Sequence, residues 1–297
     1  MKKRWIVLCV FVLVAALLFG CGKGTNGGTG AGSAAAGGSA PAGSNAAAGG
    51  SGAAAGGDLA YVKQNGVLKI GITIYAPMNY YDEKGKLIGF DTEFAEAVCQ
   101  KLGITPNFIE INWDTKEVEL KAKNIDCIWN GLTVTEDRKK SMDFSDSYIK
   151  NMQVAVIRVK DADKFKTTAD MVKANIVAEQ GSAGETAVQD DASLSTASYT
   201  PVDKQASALM EVKSGTADVA VIDYTMAKSM TGEGTSYNDL MMVPKLELSA
   251  EEYAVGFRLG SDIVPAVNEQ IKALTADGTL DKIAAKYDLT ASLISNQ

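Results

Sequence analysis

The chain has 297 residues, with 29 basic against 36 acidic side chains, a net charge of −7, and no histidine. The missing imidazole removes Ser-His and Cys-His nucleophile chemistry together with the commonest metal ligand. The acidic balance argues against nucleic acid as a partner and against peripheral binding to anionic lipid.

At the N-terminus, Lys2, Lys3 and Arg4 lead into an apolar run from Trp5 to Phe19. That run is too short for a comfortable spanning helix and reads as a signal peptide over residues 1–20. It closes on Leu18, Phe19, Gly20 and Cys21, which resembles a bacterial lipoprotein box. The resemblance implies a palmitate-bearing lipid on Cys21 as the mature N-terminus, and a protein held at the extracytoplasmic face of the cell membrane. Phe19 departs from the small residue usual at its position; a plain signal peptide or short anchor, with Cys21 an incidental thiol, is the alternative. Residues 22–57 are almost wholly Gly, Ala, Ser, Thr and Asn, with Lys23 and Pro41 the exceptions. Such a stretch forms no core, behaves as a flexible coil and reaches roughly 30 Å, the span expected of a tether. Without the leader's three cations the balance is 26 basic against 36 acidic, a net −10.

From Asp58 onward about 240 residues remain, more than one typical core holds, which predicts two compact units. Residues 68–74 read as a strand, followed by a hairpin-like turn at Asp82, Glu83, Lys84 and Gly85. A helix after Gly89 puts Phe94, Val98 and Leu102 on one face and stops at Gly103. A strand at 108–111, a short helix at 116–123 and a strand at 125–129 come next. A long apolar strand is predicted at 154–159, with further strands at 176–178 and 219–222. Val264, Val267, Ile271 and Leu274, then Gly278 and a short helix to Tyr287, give a C-terminal helical pair. This alternation is that of an α/β protein. Cys99 and Cys127 each lie inside an apolar pattern and read as buried thiols rather than a disulfide. No cysteine spacing suggests zinc and no Gly-rich loop follows a strand, so neither a metal nor another cofactor is expected.

An internal echo supports two similar lobes. Leu120 and Lys121 are followed by Asp126 and the strand Cys127, Ile128, Trp129; Val212 and Lys213 are followed, at the same spacing, by Asp218 and Val219, Ala220, Val221. Four segments then carry a wider likeness: Tyr75 to Met78 with Gly85 to Asp91; Asn112, Trp113 and Asp114; Asn130 to Arg138 with Met142 to Asp146; and Ala276 to Ile283. With them the chain resembles the polar-amino-acid family of ABC-importer solute-binding proteins over about residues 59–289. The resemblance implies the two-lobed α/β fold of type II periplasmic binding proteins, with two hinge strands and a ligand cleft between the lobes. Lobe 1 would comprise 58–157 and 253–297, lobe 2 158–252, with crossings near 156–160 and 253–257. It further implies a monomer that passes a free amino acid to an ABC permease and ATPase complex.

A free amino acid offers one carboxylate and one ammonium, so its site needs a forked cation, spare donors and an acid. Arg138 is the natural cation. Thr135 reads as an N-cap, which puts Arg138 in a first helical turn where the helix dipole disfavours it; a ligand anion would resolve this, as would Glu136 and Asp137. By resemblance Asp223, at the end of a buried strand, receives the ammonium, although it also suits a helix cap. Ser182 would offer a hydroxyl at a helix start, Thr133 and the backbone of Gly131 would complete the carboxylate contacts, and Tyr75 and Trp113 would wall the ligand's side chain, with core packing their alternative. Relatives often carry an acid in the loop after the first strand; Ile72, Thr73 and Ile74 are uncharged here, which disfavours a cationic ligand. The reading is therefore binding without catalysis. A dehydratase-type enzyme on the same fold, with Asp223 or a tyrosine as general acid, and a sensory ligand-binding protein are the alternatives.

Overall fold

A computed structural model describes residues 57–296. The predicted signal peptide, Cys21 and the tether up to residue 56 lie outside the described residues. Helix α1 (Asp58–Asn65) ends where Gly66 takes φ 68° and turns the chain into β1 (Val67–Ile72). The hairpin β2 (Tyr80–Tyr81) and β3 (Leu87–Ile88) closes over the Asp82 carboxylate, which accepts the N–H groups of Lys84 and Lys86. Helix α2 (Phe90–Leu102) stops at Gly103, as predicted, and β4 (Thr105–Glu110), α3 (Lys116–Lys121), β5 (Cys127–Ile128) and β6 (Met142–Phe144) follow. Next come β7 (Ile149–Arg158), β8 (Asn175–Glu179), α4 (Ala183–Asp190), β9 (Ser198–Val202), α5 (Gln205–Ser214), β10 (Val219–Asp223), α6 (Tyr224–Met230) and β11 (Leu240–Tyr253). The described chain closes with β12 (Gly256–Arg258) and the helical pair α7 (Ile263–Ala276) and α8 (Thr279–Lys286).

Two five-stranded sheets result, in the orders β4-β1-β5-β12-β6 and β11-β7-β10-β8-β9. In the first, β1 runs parallel to β4 and β5 while β12 is antiparallel; in the second, β8 runs parallel to β9 and β10 while β7 is antiparallel. Parallel strands are covered on both faces, which is why they read as short apolar runs. Leu68, Ile70 and Ile72 of β1 are buried with Phe94 and Val98 of α2. Phe90, Phe94, Trp129 and Tyr148 extend that core as an aromatic cluster with ring centroids 5.1–6.0 Å apart. Cys99 and Cys127 are both buried and unpaired, matching the sequence reading. No helix among the described residues is long and apolar enough to cross a membrane.

The internal echo is a real structural repeat. In the first lobe Asp126 accepts the N–H of Lys69 (3.0 Å), and Arg258 Nη2 pairs with it at 3.2 Å while Nη1 donates to the Leu120 and Ile125 carbonyls. In the second, Asp218 accepts the N–H of Asn175 (3.1 Å), and Arg158 Nη2 pairs with it at 2.9 Å while Nη1 donates to the Val212 and Ala217 carbonyls. Each arginine comes from an antiparallel strand and satisfies the loose carbonyls of a helix end and its turn, which would otherwise be left unpaired.

Strand pairing bears on the lobe boundaries: β11 and β12 belong to different sheets, β6 ends in the first sheet at Phe144, and all of β7 pairs within the second. A division at 157/158 therefore cuts through a continuous strand. The first half of β7 was invisible to apolar patterning because Asn151 and Gln153 turn polar side chains inward, toward buried acids.

Candidate functional site

The loops at the carboxyl ends of the parallel strands in both sheets converge on one enclosed cavity, as expected for α/β crevices. The first lobe lines it with Thr73 and Tyr75 after β1, Trp113 after β4, and Asn130, Gly131, Thr133 and Arg138 after β5. The second contributes Glu179, Ser182 and Ala183 at the end of β8, Gln205 after β9, and Asp223 at the end of β10. All seven ligand-binding residues predicted from sequence are among them, whereas Cys21 lies outside the described residues.

Arg138 opens a single 3-10 turn (Arg138–Lys140) whose N-cap is Asp137 rather than the expected Thr135, although Thr135 Oγ1 still accepts the Arg138 N–H at 3.1 Å. Its side chain is only 8 % exposed. Nη1 donates to the Thr133 carbonyl (2.7 Å), and Nη2 reaches across the lobes to the Gly181 carbonyl (3.2 Å). Burial lowers its pKa, opposed by the negative charges of Glu251 and Asp223, yet the guanidinium stays a cation. Lys116 Nζ joins the same carbonyl of Gly181 at 2.9 Å, donates to the Trp113 carbonyl at 3.1 Å and lies 5.0 Å from the Trp113 ring centroid. Burial, and then the charge of Arg138, push Lys116 down to about 8. Trp113, 5 % exposed, is thus a wall braced by a cation, and Asn112 caps its turn by accepting the Asp114 N–H.

Asp223 is the hub of the opposite side. Its Oδ1 accepts from Asn151 (2.8 Å) and Gln153 (2.6 Å), its Oδ2 accepts from Gln205, and its N–H donates to Gln205 Oε1 at 3.0 Å. Glu251, on β11, shares two of those donors: its Oε1 accepts from Asn151 at 2.5 Å, Gln153 at 2.9 Å and Thr133 Oγ1 at 3.0 Å. Burial, and then the charge of Asp223, hold Glu251 well above the usual carboxylate range. Two acids on shared donors make an acidic corner, suited to a cationic group.

The floor is a hydrogen-bonded scaffold. Asn130 accepts from the N–H and hydroxyl of Thr73 and donates to the Thr73 carbonyl and Asn79 Oδ1, so two loops are laced into one surface. Gly131 has φ 56°, and its N–H is already donated to buried Asp91 at 2.6 Å. Its amide is thus held by Asp91 within the first lobe. A Cβ at this position would lie 2.6 Å from Tyr75 Cε1 and 3.1 Å from Tyr253 Cε2. Gly131→Ala should cost about 2–4 kcal/mol through a left-handed backbone and a displaced Tyr75 ring; urea unfolding measures it, and a change below ~1 kcal/mol would contradict the steric account. Tyr75 itself is 3 % exposed, its hydroxyl bonded to Thr225 of the second lobe and to Tyr253 at 2.8 Å. Ser182 caps α4 by accepting the Glu185 N–H at 3.1 Å, which leaves its own O–H proton to donate, next to Ala183 at the positive end of the helix.

The profile of the bacterial extracellular solute-binding proteins, family 3, matches residues 68–290 of the chain. The chain belongs to this family. The solute-binding protein is 29 % identical over 291 residues to the L-cystine-binding protein TcyA of Bacillus subtilis, covering 97 % of each chain. It is 27 % identical over 233 residues to the L-cystine-binding protein TcyJ of Escherichia coli K12, covering 78 % of this chain and 86 % of that one. Among solved structures, an ABC uptake transporter substrate-binding protein from Streptococcus pneumoniae with bound histidine superposes with a TM-score of 0.69 at 31 % identity, over 78 % of this chain and 96 % of that one. The fold is the two-lobed type II architecture that the sequence implied.

Several residues of this solute-binding protein's cavity escape sequence reading: Asn130, Glu179, Gln205 and, behind them, Asn151, Gln153 and Glu251. Their only signal is a polar side chain where a strand or its end should be apolar. Burial, and then the charge of Asp223, push Glu179 up to about 8, and burial pushes Asp91 up to about 7 against the opposing Gly131 N–H. Folded Glu179, Glu251 and Asp91 thus keep protons that the unfolded chain releases near pH 4 to 4.5. The folded state binds more protons from there to about pH 8, so its stability falls as pH rises through that window. Lys116 acts oppositely and later: above pH 8 the folded state loses its proton first, and stability recovers. The ligand-free thermal midpoint should fall between pH 5 and pH 8, less steeply in Glu251→Gln; a midpoint that rises over this range would contradict the assignment.

Proposed function

We propose that this solute-binding protein captures a free L-amino acid between its lobes and delivers it to an ABC permease and ATPase complex at the membrane. The observation that carries the reading is that one cavity receives a forked cation from the first lobe, Arg138, and an acidic hub from the second, Asp223. The ligand carboxylate takes the guanidinium fork in place of carbonyl partners, helped by the Ser182 hydroxyl and the N-terminus of α4. The ammonium goes to Asp223. Tyr75 and Trp113 wall the side chain and exclude water, which strengthens each polar contact. Closure is favoured by the ligand because its two charged ends touch different lobes. The relatives that bind cystine and the structure holding histidine support an amino acid as the class.

The chain is read as lobes of 58–148 with 254–297 and of 149–253, working as a monomer tethered by a lipidated Cys21. Export and lipidation rest on the leader and the Gly/Ala stretch. Cys21→Ser expressed with its own leader should release the protein from the membrane fraction into the soluble one; unchanged membrane association would remove the anchor from the account.

Titration calorimetry of the Cys21→Ser form against the twenty amino acids is the direct trial, with micromolar or tighter binding expected for at least one. Absence of any binding would sink the reading. The same cavity makes an enzyme reading testable, since Glu179 keeps a proton near neutral pH as a general acid does. Binding without chemistry is favoured because all three carboxylates of Asp223, Glu251 and Asp91 are held by protein donors. Mass spectrometry of the ligand after incubation should return it unchanged.

A further inference from the structure

We propose that Glu179 selects the side chain of the ligand, and that the preferred amino acid carries a positively charged nitrogen at its side-chain end. This rests on the amino-acid reading above and names the substrate class within it.

Glu179 is the last residue of β8, is 4 % exposed and lines the cavity. Among the described residues it has no side-chain hydrogen bond and no ion pair, whereas Asp223 and Glu251 each accept from three side chains and Asp91 from a main-chain N–H. A buried carboxylate without a donor is costly, so its position calls for a partner from the cavity itself. The charged groups that face it are Lys116 and Arg138 across the cavity, and Asp223 and Asp203 on its own side. Both cations are committed elsewhere: Lys116 to the Trp113 and Gly181 carbonyls, Arg138 to the Thr133 and Gly181 carbonyls.

The rest of the ligand leaves Glu179 no other role. The α-carboxylate belongs at the guanidinium fork of Arg138. The α-ammonium has Asp223, already matched by Glu251 as a second acid. What remains is the far end of the side chain. The uncharged loop after β1 had counted against a cationic ligand, but Thr73 of that loop lines the same cavity as Glu179. The acid missing from one lobe is supplied by the other. A basic side chain, or the second ammonium of a dimeric amino acid, satisfies this geometry; a neutral polar one leaves the carboxylate in want of a strong donor.

The test is calorimetry on the Cys21→Ser form with ligand pairs that differ at this nitrogen: arginine against citrulline, lysine against norleucine, and the mixed disulfide of cysteine with cysteamine against that with ethanethiol. At least one cationic member should bind ten-fold or more tightly than its neutral partner. In Glu179→Gln that preference should fall to about three-fold or less, with affinity for the neutral member little changed. Buffers of different ionisation enthalpy should reveal proton release on binding the cation near pH 7 in the parent and none in Glu179→Gln, because Glu179 starts near pKa 8. The unfolding midpoint of ligand-free Glu179→Gln should be equal or higher, whereas a residue that merely supports the fold would lower it. A preference for neutral ligands, or a cationic preference that survives in Glu179→Gln, overturns the inference while leaving amino-acid capture intact. No binding of any amino acid overturns both.

Discussion

Arg138→Ala should weaken capture of the cognate amino acid by about 10²–10³-fold, the largest loss expected of any single substitution at the cavity. The guanidinium is 8 % exposed and already desolvated, so the ligand carboxylate meets a cation that has lost its water and holds only two carbonyl oxygens. Truncation leaves the ligand's anion buried without its partner, which costs about 3–4 kcal/mol in such pairs. Arg138→Lys keeps the charge but not the fork, and should fall between the two. The structure also gives Arg138 a second task, because Nη2 spans the lobes to Gly181. Some of the loss therefore reflects a weaker closed state, and the ligand-free unfolding midpoint should move by only about 2–4 °C. Calorimetry checks the affinity and thermal melts check the midpoint; affinity within about three-fold of the parent would take Arg138 out of the site.

Asp223→Asn should lower affinity by more than about 10²-fold and, unlike Arg138→Ala, destabilise the ligand-free protein by about 1–3 kcal/mol. The carboxylate accepts from Asn151, Gln153 and Gln205 at once. An amide has one oxygen, so its NH2 must face at least one of these donors, and the hub loses a bond as well as its charge. The substitution carries a signature in Glu251. With the Asp223 charge gone, one cause of the raised Glu251 pKa disappears and its carboxyl should ionise at lower pH. Residual binding in Asp223→Asn should thus improve as pH rises, and Asp223→Asn combined with Glu251→Gln should abolish it. Equal affinity and equal melting in Asp223→Asn would mean that the ammonium sits elsewhere.

The likeness between sequence expectation and structure follows the physics of each signal. Parallel strands flanked by helices are apolar on both faces, so β1, β8 and β10 were legible. The loops after these strands and after β4 and β5 were legible as motifs, and with them the cavity-lining Tyr75, Trp113, Gly131, Thr133, Arg138, Ser182 and Asp223. Hidden were the polar residues within strands. Asn151 and Gln153 of β7 follow Lys150, and Glu251 of β11 adjoins Glu252, so both stretches read as solvent-facing, and a polar residue in the sequence does not distinguish water from a buried acid. Gly131 shows the same limit for the main chain, since its motif marks the loop but not the direction of its N–H.

The sequence by itself determined the family likeness, the α/β alternation with its duplicated Asp-capped turn, and the choice of Arg138 and Asp223 as a candidate pair of opposite charges. These are local patterns, carried by hydrophobic periodicity and by residue types at fixed spacing. Only the tertiary structure decided that all of β7 pairs within the second sheet, that Gly131 gives its amide to Asp91, and that Glu179, without a side-chain partner among the described residues, lines one cavity with Thr73. Those depend on which side chains from distant segments share a buried space and compete for the same donors, and that competition exists only once both sheets have closed around it.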